Sequence, residues 1–335
     1  MGDNSIYWDI NRARSYGCML NMIVGARGCG KTYGFKKWAI SDFIKNEQKF
    51  VYVRRFKSEI EQKDLEKFFD DILLNNEFPG HELTVKGKNF FIDGKVAGTA
   101  IALSTAKIKK SVSYPDYNKI CFDEFIIDKS AYHYLPDEVT NFLELVSTIV
   151  RLRDNVSVWL LSNAITINNP YFDYFGISIP YGKDIARKGP DVLIEITHNP
   201  AFAAAASETR FGQLVAGTPY GEYAISNQFL RDNENFVARK TATAKYYFTL
   251  RFHGKEYGIY ADFETGTLYV SGDADKTFPV RFALTDDDHN PNTLIVRGRR
   301  NPYIANLINC YAAGALRFES VKIKGAMLKA IALLR

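Results

Sequence analysis

The sequence predicts an α/β protein with a largely parallel sheet in its N-terminal domain, a short helical linker, and a small C-terminal α+β domain. Three observations carry this. Over residues 1–200, short apolar runs alternate with helical patterns, as in strands joined by helical crossovers. A glycine-rich segment at 25–32 lies between one such run and one such helix. Near residue 200 the pattern changes, and strands begin to follow one another across tight turns. A chain of 335 residues has room for two domains.

Met19–Gly25 (MLNMIVG) reads as a buried strand. Lys31–Asn46 reads as a helix, with Phe35, Trp38, Ala39 and Phe43 on one face. Lys49–Arg55 (KFVYVRR) is a second strand. Ser58–Asn76 reads as a charged amphipathic helix, opened by the capping-box spacing of Ser58 and Glu61. Glu82–Leu103 reads as hairpin strands turning at Lys86–Gly87 and Asp93–Gly94. Lys119–Phe125 (KICFDEF) is a further buried strand. Pro136–Leu152 is an amphipathic helix with Val139, Phe142, Leu143, Val146 and Ile149 on its apolar face. Val156–Leu161 and Val192–Thr197 are strands. These elements make a domain over 1–202. A connector over 203–232 holds a helix, Ser207–Val215, and the turn residues GTPYG. In 233–335 the strands are Lys245–His253, Tyr257–Phe263 and Thr267–Val270. Helices Tyr303–Ala315 and Val321–Leu334 follow.

Composition excludes several classes. Lys plus Arg is 43 and Asp plus Glu 38, a net charge of +5, with 46% hydrophobic and 24% charged residues. That rules out wholesale disorder, collagen-like repetition and a pure coiled coil. No apolar run approaches the ~20 residues of a membrane span, so no membrane association is expected. The start MGDNSIYWDI lacks a basic region followed by an apolar core, so no secretory signal is expected. Four dispersed cysteines and five dispersed histidines give neither a zinc nor a disulfide framework, which points to a reducing compartment. Three basic clusters could bind phosphate backbone: KIKK (107–110), RGRR (297–300), and the C-terminal Arg317, Lys322, Lys324, Lys329 and Arg335. A solvated surface explains each of them equally well.

The chemistry concentrates in one motif and its companions. Gly25, Ala26, Arg27, Gly28, Cys29, Gly30, Lys31 and Thr32 fit GxxxxGK[ST]. Glycines let backbone N–H groups turn inward around phosphate oxygens, and the following helix adds positive potential. Lys31 can reach the β- and γ-phosphates of ATP, and the Thr32 hydroxyl can ligate Mg²⁺. Asp123, ending a buried strand, is suited to supporting that Mg²⁺. Glu124 is suited to orienting and activating a water. This second carboxylate favours hydrolysis over a kinase reaction, whose acceptor is a substrate group. Asn163, and after it Ser162, ends the next strand where a polar group can contact the γ-phosphate or the attacking water. Both also suit a plain turn. Arg151 and Arg153 close the helix after the acid pair. They read either as cations at a helix C-terminus or as an arginine finger for a neighbouring subunit. Cys29 inside the loop suggests that thiol reagents block ATP by bulk. The segment YYFTLRF carries no acid, and Asp262, Glu264, Asp273 and Asp275 read as surface or turn residues, which argues against a nuclease centre.

Along nearly its whole length the chain resembles the DNA-packaging ATPases of phi29-like bacteriophages. The segments that carry the resemblance are VGARGCGKT (24–32), FVYVRRFKSE (50–59), HELTVKGKNFFIDGKVAG (81–98), CFDEF (121–125), LSNAITINNPYF (161–172), ETRFGQLVAGTPYGEYAISNQF (208–229) and LRF (316–318). The resemblance implies an ASCE-type P-loop ATPase domain related to the FtsK/HerA group, and a C-terminal RNase H-like domain that looks like a degenerate terminase nuclease. It implies a homo-oligomeric ring, typically a pentamer, docked on the portal of a procapsid and pumping double-stranded DNA inward with ATP. That places it in the host cytoplasm and transiently at the portal vertex, outside the mature virion. A structural packaging RNA is a further partner in the family's type member. By position, Lys31 and Thr32 bind phosphates and Mg²⁺, Asp123 supports Mg²⁺, and Glu124 is the catalytic acid. Arg151 matches the trans-acting finger, and Lys57 and Lys110 match basic interface residues. The rival readings are a ring helicase or DNA-partition ATPase of the same superfamily, a P-loop small-molecule kinase, and an active C-terminal nuclease.

Overall fold

A computed structural model describes residues 7–109, 113–127, 133–164, 166, 169–177, 184–197, 199–218, 220–221 and 236–334. The chain divides into two compact units, Met1–Arg231 and Asp232–Arg335.

The first unit is built on nine strands: β1 (Leu20–Gly25), β2 (Lys49–Arg54), β3 (Leu83–Lys86), β4 (Asn89–Ile92), β5 (Lys95–Ala102), β6 (Tyr117–Asp123), β7 (Ser157–Asn163), β8 (Ile185–Lys188) and β9 (Val192–Ile196). Their order is β3-β4-β5-β2-β6-β7-β1-β9-β8. The run from β5 to β9 is parallel. Antiparallel strands close both edges. Strand β7 is inserted between the loop-bearing β1 and the acid-bearing β6, which is the ASCE order. Every residue of β1 is buried, as expected of a strand covered on both faces. Alternation sorts the neighbours: Phe50, Tyr52 and Cys121 enter one core, while Val51, Val53, Ile120 and Phe122 enter the other. Helix α1 (Ile10–Arg14) and helix α2 (Lys31–Asn46) pack on the first face, with Phe35, Ala39 and Ile40 wholly buried. Lys119 is buried on β6 and ion-paired to Asp42 of α2, pinning helix to sheet.

The β4–β5 turn has Asp93 at φ 50° and Gly94 at φ 75°, the two left-handed positions of a tight hairpin. The region 58–76 differs from the single helix expected. It is a 3₁₀ turn at Lys57–Ile60, α3 (Gln62–Leu65), a 3₁₀ turn at Glu66–Phe69, and α4 (Asp70–Leu74). Leu65, Phe68, Phe69 and Ile72 are spaced as one helical face, and Ile60, buried as well, lies off it. The cap also shifts: the Glu59 carboxylate, not Glu61, accepts from the Phe56 N–H at 2.7 Å. Helix α5 (Glu138–Val150) covers the second face, and α6 (Pro170–Tyr174) follows β7. The expected helix 207–215 is split into α7 (Pro200–Glu208) and α8 (Arg210–Val215). Asn199 caps α7 by accepting from Phe202 N–H at 3.0 Å, with Pro200 in the first turn. Thr209 breaks the run by capping α8.

The second unit holds β10 (Lys245–Phe252), β11 (Lys255–Asp262), β12 (Thr267–Ser271), β13 (Arg281–Ala283), β14 (Leu294–Ile295) and β15 (Leu316–Phe318), in the order β14-β13-β10-β11-β12-β15. An antiparallel meander, β10–β12, continues on its β10 side into two parallel strands. This is the RNase H-like order that the resemblance implies. Helices Pro302–Ala312 and Val321–Leu334 bury Ile304, Leu307, Met327 and Ile331 against it. Among the described residues no helix is long and apolar enough to cross a membrane.

Candidate nucleotide-binding and hydrolysis site

The loop between β1 and α2 has the geometry its glycines allow. Gly28 and Gly30 sit at φ 79° and 90°, and Gly30 is the N-cap of α2. Gly25 is needed for a different reason: a Cβ there would lie 1.9 Å from the Thr197 hydroxyl. Lys31 is buried beneath the loop, donating to the carbonyls of Gly25 and Ala26 at 3.2 and 2.8 Å and to Asn163 Oδ1 at 3.3 Å. Burial lowers its pKa despite the nearby acids Asp123 and Glu124. The Cys29 thiol points down, buried, 3.6 Å from the Thr197 hydroxyl. A thiol reagent therefore cannot reach it without opening the loop, contrary to the simple expectation from sequence.

Asp123 ends β6 facing Thr32, whose hydroxyl donates to its two oxygens at 3.0 and 3.2 Å. Tyr52 of β2 donates to the same carboxylate at 2.9 Å. Burial and the Asp123 charge hold the Tyr52 phenol well above its ordinary range. Glu124 takes a left-handed backbone, φ 60°. Its carboxylate accepts from Arg54 at 2.6 Å, and Arg54 also holds Glu59 at 2.7 Å and lies 3.9 Å from Asp123. Burial alone would lower the pKa of Arg54, but Tyr52, Glu124, Asp123 and Glu59 together raise it. Arg55 turns the other way. Its guanidinium donates twice to buried Glu138, at 2.8 and 3.0 Å, and to the carbonyls of Glu124 and Phe125. Glu138 also accepts from Leu135 N–H and the Tyr171 hydroxyl. The turn carrying Glu124 is thus fixed from both sides.

The structure brings Lys31, Thr32, Asp123, Glu124 and Asn163 together. Ser162 is buried and spent locally, accepting from Ile126 N–H and donating to Ile126 O. Arg153 is likewise committed to its own chain, donating to the carbonyls of Tyr114 and Pro115. Arg151 is different: exposed, at φ 50°, beside a wholly exposed Leu152. Among the described residues its guanidinium has no hydrogen-bond or ion-pair partner. The same holds for Lys57, exposed at the start of its 3₁₀ turn. Lys110 lies outside the described residues. Sequence reasoning missed Tyr52, Arg54, Arg55 and Glu138. The signal for the arginines is the VRR ending of β2, which gains meaning only once β2 is known to lie beside β6. In the second unit, Asp262 accepts from Thr241 and Thr243 and caps the turn at Glu264, and Asp275 caps Thr277. Among the described residues no cluster of acids, histidines or cysteines could hold a metal by itself.

A phosphate loop whose threonine faces one strand-end acid, with a second acid clamped beside it, defines a P-loop nucleotide hydrolase. Residues 2–332 match the family profile of the podovirus DNA encapsidation protein (Gp16), and the chain belongs to that family of packaging ATPases. It is similar to the DNA packaging protein of Bacillus phage phi29, 38% identical over 323 residues and 96% of each chain. It is 39% identical over 307 residues to the DNA packaging protein of Bacillus phage B103, covering 91% of this chain and 94% of that one. The phi29 viral genome packaging motor assembly matches with a TM-score of 0.80 at 36% identity, over 99% of this chain and 100% of that one. The crystallised N-terminal domain of the phi29 packaging ATPase matches at 0.55 and 42% identity, over 59% of this chain and all of that domain.

Proposed function

We propose that the chain is one subunit of a homo-oligomeric ring, a pentamer, that couples ATP hydrolysis to movement of double-stranded DNA into a procapsid. The observation that carries this reading is the acid pair: Asp123 on Thr32, and Glu124 beside it. Such a pair favours a hydrolase, since a small-molecule kinase rarely needs the second carboxylate. Likeness to a packaging motor assembly over the whole chain supports the ring.

The backbone N–H groups of 28–32 and the N-terminus of α2 hold the triphosphate, and Lys31 leaves the loop carbonyls to meet it. Thr32 and Asp123 offer a hydroxyl and a carboxylate facing each other, the hard oxygen donors Mg²⁺ prefers, so these residues fit the ion. When bound, Mg²⁺ would neutralise charge on the β- and γ-oxygens. Glu124, released by Arg54, takes the proton of the attacking water. Asn163 orients that water or the γ-phosphate. Arg151 reaches into the neighbouring subunit's site, with Lys57 and Lys110 at the same interface. Phosphate contacts from basic loops suit the task, because a motor must grip any sequence. Residues 203–232 act as the linker, and 233–335 bind without cutting. The procapsid portal, and a structural RNA where one exists, complete the partner set. The working location is the host cytoplasm and then the portal vertex.

The test is ATP hydrolysis with and without linear double-stranded DNA across a protein dilution series. Activity should rise with DNA and with protein concentration. Turnover independent of both would sink the shared-site motor.

A further inference from the structure

A cleft of about 900 Å³ opens beside the phosphate loop. It begins at the Gly28 and Gly30 peptides and runs along the outer face of α2 past Tyr33, Gly34 and Lys37. Its opposite wall is the segment before β1. The size is that of a nucleotide site rather than a surface wrinkle. A triphosphate seated in the loop must direct its nucleoside somewhere, and this cleft is continuous with the glycine peptides.

Tyr7 stands at the mouth of the cleft, and the surrounding structure fixes it there. Its neighbour Trp8 donates from the backbone to Cys29 O at 2.8 Å, tying the segment to the loop itself. The Trp8 indole N–H donates to buried Glu195 at 3.2 Å, tying it to β9. The Tyr7 ring rests on Gly30 so closely that a Cβ there would lie 3.0 Å from the Tyr7 Cβ and 3.4 Å from its ring. Behind it, Phe202 of α7 lies against the ring with centroids 6.3 Å apart. Even so, Tyr7 remains 49% exposed. Deeper in, Tyr33 donates to Glu77 at 2.5 Å, and Lys37 pairs with Glu77 at 2.7 Å, giving polar groups along one wall.

We propose that this cleft takes the nucleoside of the bound triphosphate and that the base stacks on Tyr7. The proposal rests on the phosphate-loop reading above. An aromatic ring backed by a second ring and held through the next residue's backbone loses little freedom when a base stacks on it, so stacking costs little entropy. Tyr7 is thus a binding residue that the GxxxxGK[ST] pattern does not include.

The experiment is calorimetric titration of the full chain with ATP and, separately, with inorganic tripolyphosphate, both with Mg²⁺. Variants are Tyr7→Ala, Tyr7→Phe and Lys31→Ala, with melting curves to confirm folding. Tyr7→Ala should weaken ATP about tenfold, in the range of base–aromatic stacking, and leave tripolyphosphate unchanged. Tyr7→Phe should bind ATP as the wild type does. Equal weakening of ATP and tripolyphosphate would show that Tyr7 only props the loop, and no weakening of either would remove it from the site. Both results overturn the proposal. Lys31→Ala should lose both ligands. If it retains tripolyphosphate, the phosphate-loop reading fails, whatever Tyr7 does.

Discussion

Arg54 decides what Glu124 can do. Its guanidinium lies 2.6 Å from the Glu124 carboxylate, so Glu124 must leave Arg54 before it can face a water. Arg54 is held in turn by Glu59, so the clamp has a second anchor on the 3₁₀ turn that also carries Lys57. A change at that turn can therefore reach Glu124, the proposed hydrolytic acid, through one side chain. Glu124→Gln should lower turnover about 10²–10⁴-fold while ATP binding in calorimetry stays intact. Arg54→Ala should free Glu124, raising hydrolysis without DNA and bringing the ratio of DNA-stimulated to basal turnover towards one. An unchanged ratio would show the clamp to be structural.

The elements around the site are locked by buried charge. The Arg55–Glu138 pair joins the end of β2 to the start of α5 and hangs the Glu124 turn between them. Both side chains are almost wholly buried, and removing one strands the other in a low-dielectric core. Arg55→Met should cost about 3–5 kcal/mol, read as a lowered denaturant midpoint. Glu195 on β9 is a milder case. Burial raises its pKa against the opposing pull of Trp8 and Arg12, and among the described residues one of its oxygens has no hydrogen-bond partner. A raised folded pKa means its stabilising share is complete at low pH and is lost as pH rises through the folded value. Glu195→Gln should match the wild type in melting temperature near pH 4, exceed it as the pH rises above the ordinary carboxylate range, and keep a constant lead above the folded value. A gap that does not widen with pH would refute the assignment.

At this scale the sequence was legible where one physical signal dominated. Lys31–Asn46 and Val321–Leu334 have the expected bounds because helical periodicity and their flanking glycine or serine turns agree. The motif residues Lys31, Thr32 and Asp123 were readable because phosphate chemistry restricts both type and spacing. The broken segment 57–74 was not: Leu65, Phe68, Phe69 and Ile72 keep one helical face, but Phe68 packs on Phe50, Tyr52 and Phe90 across the sheet, contacts the period does not show. Arg54 and Arg55 were hidden for the same reason: their partners lie about 70 and 83 residues away. The two- and three-residue strands β13, β14 and β15 are too short to show an alternation at all.

At the scale of the whole molecule, Lys31 and Arg54 beside the acid pair are both committed to partners within their own subunit. Arg153 is consumed by its own backbone, whereas Arg151 projects from the end of α5 beside the bare Leu152. On the proposed reading this exposed pair, one charged and one apolar, meets a neighbouring subunit, and Arg151 serves that subunit's site. This arrangement can be separated from a cis role by mixing. Glu124→Gln subunits supply an intact Arg151 but a dead site; Arg151→Ala subunits supply an intact acid but no finger. Each alone should be nearly inactive, the arginine loss amounting to about 10³–10⁵-fold in turnover. Mixed in equal amounts, they should recover measurable ATP hydrolysis, because some interfaces then pair a good acid with a good finger. That recovery should vanish on dilution below the ring's assembly concentration, since the site is divided between two chains. If the mixture stays as dead as its components at every concentration, Arg151 acts within its own chain and the catalytic site is not shared.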